Sequence, residues 1–147
     1  MEELEELKHK DFCYETKNMT YQVNVGENLV YVAVKGLHTK KDAEEFDEKA
    51  IKHLENFPEI HKIFDTANVI IDCTEAVRVE HEARRIYSKM ASDFIHAHLF
   101  VVVTNRVIKT ILGFLLIASG KRDVKFFKTV KEALEYIRKQ KSEKSER

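Results

Sequence analysis

The sequence predicts one α/β domain: a mixed β-sheet that starts with an antiparallel hairpin and continues as alternating helices and strands. Three observations carry this. Two alternating β runs, 21–25 (YQVNV) and 29–35 (LVYVAVK), are separated by Gly26, Glu27 and Asn28, the spacing of a hairpin with a three-residue loop. Beyond them, apolar residues at helical spacing alternate with short apolar runs at 69–72 (VIID), 99–103 (LFVVV) and 124–127 (VKFF), as in strands joined by helical crossovers. At 147 residues, with 44% hydrophobic and 34% charged, the chain suits one core with a solvated surface.

Each element has its own signal. A first strand at 12–16 is the weakest. Thr39, with Asp42 three residues on, starts a helix whose apolar stripe is Ala43, Phe46, Ala50, Leu54 and Phe57, and Pro58 ends it. After the central strand at 69–72, Val79, Ala83, Ile86, Met90 and Phe94 form a second stripe, while Glu80, Arg84, Arg85 and Lys89 point elsewhere. The continuous run at 99–103 fits a strand covered on both faces. Thr129 and Glu132 form a capping box for a last helix that buries Val130, Ala133, Leu134 and Ile137. Residues 1–10 read as a polar extension, 11–138 as the domain, and 139–147 (KQKSEKSER) as a charged mobile tail.

Charge narrows the function classes. The net charge is zero, but residues 1–68 hold 9 Lys or Arg against 15 Asp or Glu, and 124–147 hold 8 against 4. That balance argues against nucleic-acid binding. No apolar run reaches the length of a membrane span, and the acidic start MEELEELKHK is no secretory signal. With Cys13 and Cys73 far apart and no other cysteine, a reduced cytoplasmic protein is expected.

The order of elements resembles that of STAS-like domains, relatives of the sporulation anti-anti-sigma factor. Over 29–138 the resemblance rests on Lys35-Gly36, on NVIIDCTEA at 68–76, and on Ala83-Arg84 followed by Ile86-Tyr87. LFVVVTN at 99–105 and VKFFKTVKEALEYI at 124–137 complete it. By shape the chain is also similar to the lipid-exchange CRAL-TRIO domain. The resemblance implies a regulatory, protein-binding module. Anti-sigma antagonists carry Asp-Ser-Ser-Gly or Asp-Ser-Thr-Gly at a helix start; here Glu80, His81, Glu82 and Ala83 stand there, with no hydroxyl to phosphorylate.

Asp72 and Thr74 sit where a buried strand meets a loop, the end of an open sheet at which ligands bind. A carboxylate there also accepts backbone N–H bonds from the following turn, and that structural role is the favoured one. Cys73 reads as a small buried filler. Thr104, Asn105, Arg106 and Lys109 combine a strand end, a helix cap, free N–H groups and two cations, a candidate anion site whose plain alternative is an ordinary capped helix. His96 and His98 make half a metal site with no partner at ligand spacing, so neither metal nor cofactor is expected. His81 lies between two glutamates and forms no triad with a nearby serine.

The segment 107–119 (VIKTILGFLLIAS) is apolar around most of a helix, with only Lys109 and Gly113 on a narrow polar strip. One side packs on the sheet; the rest needs a cover, from a partner subunit, the polar amino-terminal extension, an apolar ligand or a membrane surface. A homodimer through Leu112, Leu116 and Ile117 is the leading explanation, ahead of an apolar ligand pocket, and a peripheral lipid contact stays open. The expectation is a non-catalytic, homodimeric regulatory or protein-binding module, with a CRAL-TRIO-like carrier of an apolar or anionic ligand as the alternative.

Overall fold

A computed structural model describes residues 12–24, 26–56, 68–93, 98–118 and 124–145. Its element order is β1 (Phe12–Thr16), β2 (Met19–Asn24), β3 (Leu29–Val34), β4 (Gly36–His38), α1 (Lys40–Asn56), β5 (Asn68–Asp72), β6 (Ala76–Val79), α2 (His81–Asp93), β7 (His98–Val102), α3 (Arg106–Ala118), β8 (Val124–Phe127) and α4 (Val130–Ser145). Six strands form one sheet in the order β1-β2-β3-β5-β7-β8, and β4 with β6 forms a second, two-stranded one. β1, β2 and β3 are antiparallel neighbours; β3, β5, β7 and β8 run parallel. The expected mixed sheet with an opening hairpin is present, and β1 is a full member of it.

Parallel strands added in one direction by right-handed crossovers put the crossover helices on the same face. Phe46 of α1, Tyr87 of α2 and Ile108 of α3 accordingly share one core with Tyr21, Val32, Leu99 and Val101. Ala133 and Ile137 of α4 cover the opposite face with Ile70, Phe100 and Val102. Along β7, Leu99 and Val101 face one layer while Phe100 and Val102 face the other, which is why that strand reads as an unbroken apolar run.

The caps at 39 and 129 are present. Asp42 Oδ2 accepts from Thr39 N at 2.9 Å while Asp42 N donates to Thr39 Oγ1 at 3.3 Å, a reciprocal box. Glu132 N donates to Thr129 Oγ1 at 3.1 Å, but the Glu132 carboxylate reaches Lys128 N.

Two expectations change, and two strands appear that were not expected. Val79, assigned to the second helical stripe, lies in β6, paired with His38, and the helix starts at His81. Its spacing of four from Ala83 imitates a helix, whereas β6 is buried at Ala76, exposed at Val77 and Arg78 and half-buried at Val79, with no alternation of its own to mark it as a strand. β4 is three residues long, too short for a period-2 pattern to register. The last helix runs to Ser145, so 139–145 are helical where a tail was expected. Residues 1–10, Phe57, Pro58, Phe94 and His96 lie outside the described residues.

Candidate functional site at the carboxyl edge of the parallel strands

The parallel strands β3, β5 and β7 all end at one edge of the sheet, and the segments that leave them carry the candidate residues. Beyond β3 the chain turns at Gly36, whose φ of +58° is a backbone conformation that favours glycine. It then pairs with the segment that leaves β5. Gly36 N donates to Glu75 O at 2.8 Å and Glu80 N to His38 O at 2.9 Å, so the β4/β6 pair is pinned at both ends.

Asp72 closes the β5 turn. Its Oδ1 accepts from Thr74 N at 3.0 Å and from Thr74 Oγ1 at 2.7 Å, and its Oδ2 from Tyr31 Oη at 2.6 Å. The turn and Tyr31 thus occupy both oxygens. Tyr31 is in turn held protonated, its pKa raised first by burial and then by the bond to Asp72. Cys73 is buried, and burial pushes its thiol up to about 12, so it stays protonated as a small filler.

Thr104, Asn105, Arg106 and Lys109 are all exposed at the start of α3. Asn105 Oδ1 accepts from Val107 N at 2.9 Å and Ile108 N at 3.2 Å, two of the donors that an anion would use. The Lys109 ammonium stands 5.3 Å from the centroid of the Phe126 ring, over β8. Among the described residues, Arg106 is therefore the cation left at the cap itself. Leu112 is half-buried and packs against the main core. The side chains of Leu116 and Ile117 lie outside the described residues.

At 80–83, where the family resemblance places a phosphorylatable motif, Glu80 Oε1 accepts from Lys40 N at 3.0 Å. That acid side chain caps α1, while its backbone oxygen accepts Arg84 N at the start of α2, so one residue ties two helix starts together. His81 and Glu82 are exposed, and Ala83 is fully buried. His98 is exposed on β7. Among the described residues no group of three or more His, Cys, Asp and Glu side chains is placed to hold a metal ion.

Sequence reasoning missed a buried polar pair beneath this edge. His38 is 0% exposed, its Nε2 is hydrogen-bonded to Tyr87 Oη, and its Nδ1 has no hydrogen-bond partner among the described residues. Tyr87 also packs against Phe46, with ring centroids 6.0 Å apart, and Phe46 meets Tyr21 edge-on at 5.2 Å. Burial lowers the His38 pKa, against smaller opposing effects of Asp42 and the Asn18 backbone. In the sequence, His38 carries no signal beyond being a polar residue before a cap.

Outward-facing apolar side chains mark the same edge. Leu37 is 52% exposed, Val77 74% and Val107 68%, and each follows the carboxyl end of a parallel strand. Arg78, Thr74 and Arg106 beside them are exposed and polar.

A family model described as a domain of unknown function, DUF7793, matches residues 38–141. Among solved structures, the chain is similar to an uncharacterized protein of the DUF3478 family with a SpoIIAA-like fold from Shewanella loihica PV-4. The match has a TM-score of 0.56 and 14% identity, covering 86% of this chain and 91% of that one. At that identity the likeness is one of fold, and the fold is the STAS-like one. No curated protein matches.

Proposed function

Because this chain belongs to the DUF7793 family and is a STAS-like domain, we propose that it is a non-catalytic regulatory module that works by binding another protein. The observation that carries this reading is the set of outward Leu37, Val77 and Val107 side chains at the carboxyl edge. Scattered apolar residues are ordinary on a protein surface, but three at the ligand-binding end of an open sheet, with a polar rim, suit a protein contact. Asp72 supports it too: its oxygens serve the turn and Tyr31, which leaves the edge to be read by shape and apolar contact.

The module also pairs with a second copy of itself in this reading, through the apolar helix α3. Among the described residues nothing lies within 4 Å of a Cβ added at Gly113, which leaves room for a neighbouring helix to approach there. Sedimentation velocity at micromolar concentration tests the pairing: a dimer for the wild type and a monomer for Leu116→Lys or Ile117→Lys. A wild type that stays monomeric removes self-pairing. Protein binding is tested separately with Val77→Lys, which is expected to keep its thermal midpoint and lose the partner that the wild type retains.

A further inference from the structure

We infer that the partner bound at the carboxyl edge docks there with an acidic, apolar segment: its apolar side chains cover Leu37, Val77 and Val107, and its carboxylates pair with Arg78 and Arg106. This rests on the protein-binding reading and names the chemistry of the partner.

The β4/β6 pair presents these side chains through a break in its register. Gly36 lies opposite Ala76 and Leu37 opposite Arg78, so Val77 is an extra residue of β6 with none across from it. In an even strand Val77 and Arg78 would point to opposite faces. Here both are exposed, while Ala76 before them is buried. The irregularity thus turns an apolar and a cationic side chain outward together, beside Leu37. His38, next along β4, is fully buried, and the Gly36–Glu75 and Glu80–His38 backbone bonds close both ends of the pair. The surface is therefore held in place before a partner arrives. Arg106 and Val107 extend it at the start of α3, where β7 leaves the sheet next to β5.

The charges at the edge select the partner. Arg78 and Arg106 are exposed and form no ion pair among the described residues, and Lys41, in the first turn of α1, is a third such cation. Lys40 and Arg85 are already paired with Glu44 and Glu82, at 3.6 and 3.7 Å. The carboxylates are occupied in turn: Asp42 by Thr39 and Asn18, Asp72 by Thr74 and Tyr31, Glu80 by Lys40 N. Among the described residues at the edge, Glu75, exposed in the β5 turn, is left over against the free cations. A guanidinium group beside apolar side chains takes a carboxylate through two parallel N–H···O bonds, and arginine is enriched where proteins meet. A second copy docked symmetrically on this edge would set the same cations against each other. So few cations also fall short of the row of phosphate contacts that holds a nucleic acid, and of the charged face with which a helix lies on a lipid surface.

A random peptide library displayed on phage and selected on the immobilised full chain tests this. The wild type is expected to enrich peptides in which Leu, Ile, Val or Phe is flanked by Asp or Glu, and Val77→Lys is expected to lose them. Arg78→Glu combined with Arg106→Glu is expected to lose the acidic preference and, by fluorescence anisotropy, to bind an enriched peptide about tenfold more weakly than the wild type. Should that double reversal disturb the fold, Arg78→Gln with Arg106→Gln takes its place, with an expected weakening of about threefold and a flatter salt dependence. Apolar peptides without acidic enrichment, or acidic peptides bound equally by the wild type and the charge variants, overturn the acidic partner and leave the protein-binding reading standing. Acidic peptides retained by Val77→Lys lie elsewhere on the surface and overturn it as well. No enrichment at all also overturns it, and the protein-binding reading is then decided by whether Val77→Lys loses the partner that the wild type retains.

Discussion

Asp72→Ala is the substitution whose cost the site geometry fixes best. The carboxylate accepts three hydrogen bonds, from Tyr31 Oη, Thr74 N and Thr74 Oγ1. Thr74 is exposed, so water replaces the carboxylate as acceptor for its two donors at little cost. Tyr31 is half-buried and its hydroxyl loses a charged partner at 2.6 Å, so most of the penalty lies there. A bond to a charged group is worth about 1.5–3 kcal/mol, and the turn adds a few tenths, so Asp72→Ala is expected to cost about 2–3 kcal/mol. For a chain of this length that lowers the thermal midpoint by about 5–10 °C. Urea unfolding of Asp72→Ala, Tyr31→Phe and the double variant measures the share carried by the pair, expected as a coupling of about 1–2 kcal/mol. If Asp72→Ala stays within about 0.5 kcal/mol of wild type, or the cycle shows no coupling, the carboxylate is not a structural acceptor, and the reasoning that removes it from ligand chemistry is wrong.

Other outcomes follow from the same geometry. Thr39→Ala breaks the reciprocal box with Asp42 and is expected to cost about 1–2 kcal/mol in denaturant unfolding. Phe100→Ala empties a buried position flanked by Phe127 and Tyr136, with centroids at 6.2 and 5.9 Å, and is expected to cost about 3–5 kcal/mol. If the cap at 104–109 takes an anion, sulfate raises the thermal midpoint of the wild type and not of Arg106→Ala; equal stabilisation of both reduces Arg106 to a solvated charge. Incubation with a kinase-type anti-sigma factor is expected to leave 80–83 unmodified by mass spectrometry, whereas stoichiometric phosphate on Thr74 would place a switch on the β5 turn.

The parts of the fold that were legible were those in which one local signal decides the structure. Leu99, Phe100, Val101 and Val102 are apolar on both sides because helices cover both sides, and that needs no knowledge of the neighbours. The cap at Thr39 is likewise local. β4 and β6 were not legible, because neither is a strand except through the other: Gly36, Leu37 and His38 have no pattern of their own until Ala76–Val79 runs beside them. Val79 was misplaced for the same reason, its partner being 41 positions away in sequence rather than four. At the site, the role of Asp72 in its turn was legible because Thr74 is two residues on, while its bond to Tyr31 crosses 41 residues. The His38–Tyr87 pair spans 49 residues, and the burial that gives it chemical interest is a property of the packed α1, α2 and β4. The Lys109 ammonium, grouped by sequence with Arg106, is drawn instead to Phe126 on another strand.

The claim that the carboxyl edge is a protein-contact surface is tested most directly by a photo-crosslinking residue placed at Val77 in cells that make the chain. The account predicts a discrete protein adduct from Val77, and none from the same residue placed at Lys52, which is exposed on α1 and ion-paired only to Glu48 among the described residues. No adduct at Val77 above the level seen at Lys52 contradicts it.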